Sequence, residues 1–248
     1  MITLTCLVPA YNEAPRIAGV LACVLGHSGV TRTIVIDDGS TDDTAAVARA
    51  SGATVLATPG NLGKTAALAL GLAQVRTSHV LLLDADLTGL TDAALTALIA
   101  PVSDGQAAAA ISLRGNAPRT WRLLGVDYIS GERVIAMDLL STQIDRLPQL
   151  PRFGFEVFLN RLLIVRNSPV AIVPWPDVAS PSKVSKRGLW GGLWADVLMI
   201  RDILRTVSAP EVIRQIIALR RLNKLAVSGA IGLLPPGAPV ARGQDYPA

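Results

Sequence analysis

The sequence predicts an α/β fold: a mostly parallel sheet with helices on both faces. Three observations carry that reading. Over residues 2–113, short apolar runs alternate with longer stretches of helical character. The runs are apolar almost throughout, as strands buried on both faces are. Acidic residues cluster directly after several of them, where such sheets bind ligands.

The elements follow in order. Ile2–Val8 reads as a buried strand and Arg16–Leu25 as a helix. Thr33–Ile36 is a strand, and Asp42–Ala50 a helix entered through a Ser40 or Thr41 cap. Thr54–Ala57 is a short strand and Leu62–Val75 an Ala/Leu-rich helix. His79–Leu83 is a fully apolar strand, Asp92–Ile99 a helix and Ala107–Leu113 a further strand. Residues 114–187 mix short apolar pieces with Pro and Arg and give no clear period. Leu189–Val207 then carries one wide apolar stripe, and Glu211–Lys224 reads as a second helix bearing Arg214, Arg220, Arg221 and Lys224. The tail from about 226 is rich in Gly and Pro and is expected to be poorly ordered.

Composition removes several classes. The chain has 248 residues, half of them hydrophobic, with a net charge of only +4, which argues against intrinsic disorder. Its two cysteines, Cys6 and Cys23, cannot build a disulfide framework. No uncharged run approaches the roughly 20 residues of a membrane span; Leu225–Ala241 is broken by Pro235, Pro236 and Pro239. No basic leader precedes the first strand, so a cytoplasmic location is expected. The charge is uneven. Residues 1–112 carry five Lys and Arg against nine Asp and Glu, whereas residues 113–248 carry eighteen against ten. An acidic first half suits a cation, and a basic second half suits an anionic partner.

Three polar clusters fall at strand ends: Pro9-Ala10-Tyr11-Asn12-Glu13, Asp37-Asp38-Gly39-Ser40-Thr41-Asp42 and Asp84-Ala85-Asp86. Parallel strands bring their ends to one edge, so these carboxylates should converge. Asp84 and Asp86 point the same way in extended backbone. Such a pair is costly without a cation. A hard divalent ion such as Mg2+ or Mn2+ takes one or two carboxylates and completes its shell with phosphate oxygens and water, which points to a diphosphate ligand. Two His and two Cys show no zinc spacing. Asn61-Leu62-Gly63-Lys64 is not a P-loop, because position 58 is Thr where that motif needs Gly. Lys64 in the first turn of a helix nevertheless suits an anion.

Taken together, Val8–Glu13, Ile36–Asp42, Asn61–Lys64 and Leu83–Asp86 resemble the ordered signature of family 2 glycosyltransferases, whose GT-A fold is Rossmann-like. The resemblance is strong over residues 2–115 and weaker to about 190. It implies a UDP- or GDP-sugar donor. Pro9, Tyr11, Glu13 and one of Asp37 or Asp38 would hold the nucleoside. Asp84-Ala85-Asp86 would be the metal-binding motif, with Asp86 the direct ligand and Asp84 on ribose or metal. The ion and Lys64 would stabilise the departing diphosphate while the acceptor inverts the anomeric carbon.

The second half bears on the acceptor. A phosphate acceptor needs cations and no base. Arg114, Arg133, Lys183, Lys186 and Arg187 supply cations, in a pattern similar to the polyprenyl-phosphate (dolichyl-phosphate mannose synthase-like) branch. A hydroxyl acceptor needs a general base, for which Glu132, Glu156 and Asp127 are candidates. The chain is thus expected to be a metal-dependent inverting glycosyltransferase acting on a lipid acceptor, most simply a polyprenyl phosphate. Transfer to a hydroxyl of a glycolipid, metabolite or polysaccharide is the alternative. A non-catalytic nucleotide-sugar binder is the alternative from another class, and the intact Asp84 and Asp86 argue against it. Few aromatics interleave with the basic residues, so nucleic acid is not an expected partner. Residues 1–115 form the nucleotide-sugar part and 116–188 the acceptor part. Residues 189–225 form amphipathic helices and 226–248 a flexible tail. Trp190 and Trp194, with the basic second helix, suggest peripheral attachment to an anionic membrane face.

Overall fold

The computed structural model describes residues 2–150, 154–180 and 207–228. The stripe at 189–206, Lys183, Lys186, Arg187 and the tail beyond 228 lie outside the described residues.

Seven strands form one sheet in the order β3-β2-β1-β4-β6-β5-β7. The strands are β1 (Leu4–Ala10), β2 (Arg32–Asp37), β3 (Thr54–Ala57), β4 (His79–Leu82), β5 (Ala109–Arg114), β6 (Arg133–Ala136) and β7 (Val170–Trp175). All run parallel except β6, which is antiparallel to both β4 and β5. The described helices are α1 (Ala14–Leu25), α2 (Thr44–Ala50), α3 (Lys64–Ala73), α4 (Asp92–Ser103), α5 (Arg119–Leu124), α6 (Met137–Leu140), α7 (Gly154–Val165) and α8 (Ala209–Val227). A 3-10 turn covers Ile144–Gln149. This is the expected mostly parallel α/β sheet.

The period-two geometry of strands divides the core in two. Leu7, Ile34 and Ile36 face α3, α7 and α8, while Cys6, Val8 and Val35 face α1 and α4. The fit of α1 is direct from sequence. Ile17, Val20, Leu21 and Val24 recur at helical spacing and are all fully buried. Thr91 caps α4 by accepting from the Ala94 amide at 3.2 Å. Trp175 at the end of β7 is buried, and its indole N–H donates to the Ala94 carbonyl at 3.0 Å.

One local expectation is corrected. Ser40 and Thr41 do not cap α2. The helix starts at Thr44, whose amide donates to Asp42 Oδ1 at 3.0 Å, and Ser40 Oγ accepts from the Asn12 amide at 2.9 Å instead. The Ser40 hydroxyl therefore ties the loop after β1 to the loop after β2. The helix expected at Glu211–Lys224 is present as α8, and its inner face packs on the sheet. Ile216, Leu219 and Leu222 join the first core, and Asn223 Oδ1 accepts from the Ile172 amide of β7 at 2.9 Å.

Candidate functional site

The site forms where β2, β1 and β4 end side by side. The chain reverses sharply after β2 at Gly39. Its φ is +71°, and a β-carbon there would stand 2.5 Å from the Gly60 carbonyl carbon. No side chain fits. That closeness lets Asp38 reach across: its Oδ1 accepts from the Leu62 amide at 2.9 Å and its Oδ2 from the Gly63 amide at 2.8 Å. Asp38 thus braces the loop that enters α3. Asp37 accepts only a longer bond, 3.3 Å from the Ser40 amide, so it holds the freer carboxylate of the two.

Lys64 opens α3 at the end of this braced loop. Its ammonium donates to Asp84 Oδ1 at 2.7 Å and lies 3.3 Å from Glu156 Oε1, which comes from the first turn of α7. Partial burial alone would pull the lysine down. Asp84 and Glu156 outweigh it and hold Lys64 above its usual range, fully charged at neutral pH. Asp84 is also subject to burial, but Lys64 prevails and keeps it below the ordinary carboxylate range. Gly131 completes the contact, because any β-carbon there would meet both partners at under 3 Å. Pro9, Lys64, Asp84, Gly131, Phe155 and Glu156 line one recess.

Asp86 sits one turn residue on, half-buried. Burial and the neighbouring Asp84 push its carboxyl up; Ser180, Arg114 and Lys64 pull the other way. Glu13 from the β1 loop senses the same field. It donates nothing itself, but it accepts from Arg16 Nε at 2.7 Å, and burial raises it, with smaller contributions from Asp86 and Asp42. Tyr11 is exposed beside it. The three acidic clusters are therefore gathered at one edge, as their positions after β1, β2 and β4 required.

The donor set suits a hard cation. Among the described residues no three His, Cys, Asp or Glu side chains group as a ready metal cage. The acidic turn offers two carboxylates and no soft ligand. An ion held there by Asp84 and Asp86 would have to fill its remaining positions from phosphate and water, which is the preference of Mg2+ or Mn2+. Ala85 contributes no side-chain contact to a ligand: its methyl is buried in the second core.

The arginines differ from their sequence reading. Arg133 was expected to meet acceptor phosphate, but it is fully buried at the start of β6. Its Nε donates to the Ser130 carbonyl at 2.7 Å, and its two terminal nitrogens to Asn160 Oδ1 at 2.7 Å and the Tyr128 carbonyl at 3.3 Å. It braces the Tyr128–Gly131 turn from within and offers nothing to solvent. Burial lowers its basicity, and each of its three nitrogens donates one hydrogen bond in compensation. Arg114 sits at the end of β5. Its Nε and one terminal nitrogen donate to Asp127 Oδ2 at 3.2 and 3.1 Å, its other nitrogen to Ser180 Oγ at 2.8 Å, and Glu132 Oε2 lies 3.5 Å away. Its charge is already matched.

Glu132 is fully buried, and its Oε2 accepts from Ser112 and Ser130, each at 2.8 Å. A base so enclosed cannot reach a solvent-borne acceptor in this arrangement. Glu156 is also buried, but it lines the recess beside Lys64. Sequence reading missed Gly131, Ser112, Ser130, Asn160 and Ser180. Only Gly131 carried a usable signal, standing next to Glu132 and two residues before Arg133.

Residues 5–146 match the family model described as "Glycosyl transferase family 2". A 4,4'-diaponeurosporenoate glycosyltransferase of Staphylococcus aureus (strain MRSA252) is 39% identical over 101 residues. That stretch is 39% of this chain and 27% of the relative, so the chain matches about a quarter of the relative's length. Among solved structures, glucosyl-3-phosphoglycerate synthase from M. tuberculosis superposes with a TM-score of 0.63 at 25% identity, covering 83% of this chain and 80% of that one. The same enzyme with Mn2+, UDP-glucose and phosphoglyceric acid superposes at 0.60, with 25% identity and coverage of 81% and 80%. With more than half of its length inside the family model, and with the acidic turn Asp84-Ala85-Asp86 within that span, the chain belongs to glycosyl transferase family 2.

Proposed function

We propose that the protein transfers a hexose from a UDP- or GDP-sugar, with Mg2+ or Mn2+, to an acceptor that carries an ionised oxygen on a long apolar body, a polyprenyl phosphate being the simplest example. The observation that carries the proposal is the Lys64–Asp84 contact at 2.7 Å beside Asp86, on an edge gathered from three strand ends. The bound ion would supply Lewis-acid stabilisation of the departing diphosphate. Asp84 and Asp86 would hold it, and Lys64 places a fixed positive charge beside them. Asp37, whose carboxylate is freer than that of Asp38, takes the nucleoside together with Pro9, Tyr11 and Glu13.

An acceptor that arrives already ionised needs no base. The curated relative, named for a carotenoid acid, and the solved neighbour bound to phosphoglyceric acid both support an acidic acceptor. Arg133 is buried and Arg114 is paired with Asp127, so the exposed cation on the recess is Lys64. A hydroxyl acceptor is the second reading, and Glu156 favours it, because its carboxylate lies on the recess within reach of a ligand there.

The test is a donor-by-acceptor screen with Mn2+ present, pairing UDP- and GDP-hexoses with a short polyprenyl phosphate, phosphoglycerate and simple alcohols. Transfer to the polyprenyl phosphate with release of the nucleoside diphosphate is the expected result. Transfer to alcohols alone, lost in Glu156→Gln, would establish the second reading. Absence of calorimetric binding by every donor would overturn both.

A further inference from the structure

The outer arc of α8 is chemically unlike an ordinary solvated helix face. At helical spacing the arc opposite Gln215, Leu219, Leu222 and Ala226 holds Ile213, Arg214, Ile217, Arg220, Arg221 and Lys224. All six are exposed, Ile213 to 58% and Ile217 to 63%. The acidic residue of the helix, Glu211, accepts from Gln215 at 2.8 Å, lies 3.6 Å from Arg161 of α7 and pairs with Arg214 at 3.9 Å, which leaves Arg220, Arg221 and Lys224 without an acidic partner among the described residues. The inner face is fully engaged: Gln215 accepts from Tyr128 Oη at 2.9 Å, and Asn223 holds the β7 backbone. Among the described residues the arc packs against nothing, and it is cationic and studded with aliphatic side chains.

Exposed isoleucines lower solubility without aiding the core, and basic residues spread over about three turns of one face repel one another. Both features are relieved together by an anionic, apolar surface. We propose that α8 docks the protein on an anionic phospholipid leaflet, with Arg214, Arg220, Arg221 and Lys224 meeting headgroups and Ile213 and Ile217 entering the acyl boundary. No described helix is long and apolar enough to cross a membrane, so the contact is with the surface. The inference does not depend on the transfer reaction proposed above, although a lipid-borne acceptor would be met there.

The experiment is vesicle flotation of the full chain, without donor or acceptor, on phosphatidylcholine vesicles with and without one quarter phosphatidylglycerol. Binding should require phosphatidylglycerol and weaken with salt. Charge reversal in Arg220→Glu, Arg221→Glu and Lys224→Glu together should lower partitioning by at least roughly a hundredfold, since loss of each positive charge alone is worth about fivefold. Ile213→Ser with Ile217→Ser should reduce it while leaving the salt dependence. Thermal melting of both variants should match the parent, since neither touches the core. Equal binding to neutral vesicles, no binding to either, or an unchanged partition after charge reversal would overturn the proposal. So would a concentration-dependent dimer that the Ile213→Ser, Ile217→Ser variant abolishes, since that would assign the arc to a second copy of the chain.

Discussion

Gly131 lies against Asp84 so closely that a β-carbon at position 131 would stand 2.8 Å from the carboxylate Oδ1 and 2.9 Å from Lys64 Nζ. Gly131→Ala must therefore spread the ion pair. The loop around it is held elsewhere by Arg133, so the fold should tolerate the change. A misplacement of about 1 Å at a reacting centre can reduce rate roughly a hundredfold. Steady-state kinetics should show that scale of loss in kcat, with the melting temperature nearly unchanged. Parental activity in this variant would mean that the Lys64–Asp84 contact plays no part in turnover.

Lys64→Met removes the positive charge beside the departing group while keeping the aliphatic stem. Loss of one electrostatic stabiliser of this kind costs about 10²–10³ in kcat. A single-turnover assay separates that loss from weaker donor binding. The side chain is substantially exposed, so folding should be unaffected.

Asp86→Ala should abolish Mn2+ binding measured by electron paramagnetic resonance in the presence of UDP, together with transfer. Chelation of the parent by EDTA should give the same loss, reversed by added Mn2+. Metal binding at parental affinity in the variant would remove Asp86 from the ligand set.

Arg133→Met is predicted to act on stability before it acts on specificity. It strands the Ser130 carbonyl and Asn160 Oδ1 in the interior, while the Tyr128 carbonyl keeps the Asn160 amide as a donor at 3.0 Å. Unsatisfied buried acceptors cost about 1–3 kcal/mol each, so a loss of roughly 3 kcal/mol or more in urea unfolding is expected. A stable variant with selective loss of phosphate acceptors would restore the acceptor role read from sequence.

Tyr128 is fully buried, and burial pushes its hydroxyl up to about 12, with Arg161 opposing weakly. The unfolded value is about 10. A raised folded value means the folded state resists losing the proton. Its contribution to stability is complete below about pH 10 and falls away as pH rises towards 12. Urea unfolding from pH 8 to 11.5 should show that decline in the parent and a flatter profile in Tyr128→Phe. Absorbance at 295 nm should show one tyrosine ionising later than the others.

The first half was legible because its information is local. Apolar runs such as Ile34–Ile36 and Val80–Leu82 announce their strands, and acidic residues after them announce the binding edge. What escaped was set by partners distant in sequence. Strand β6 is four residues long and pairs with β4 some 55 positions earlier, so no periodicity marks it. Arg133 looked available because Asn160, which engages it, stands 27 residues away. Glu132 looked like a base for the same reason: Ser112, which helps enclose it, comes from β5. Asp37 and Asp38 could not be told apart until the Gly60–Gly63 loop was seen folded back on one of them. Sequence names the residue types of a site well, but which of them are already satisfied is decided by tertiary contact.

Strand β6 carries one more implication, for the order in which the molecule becomes competent. The ribosome completes β1 to β4, and with them the gathered acidic edge, before β6 has been made. Strand β5 emerges earlier than β6 but has no neighbour until β6 fills the place between it and β4. Strand β7 in turn needs β5. The sheet therefore grows outward on one side and waits on the other for a four-residue wedge. Gly131 and the buried Arg133 arrive with that wedge, and Glu156 follows on α7. A nascent chain could present its nucleotide edge and the Lys64–Asp84 pair while the wall of the recess that Gly131 and Glu156 supply is still missing, so the recess closes only when the second half has docked.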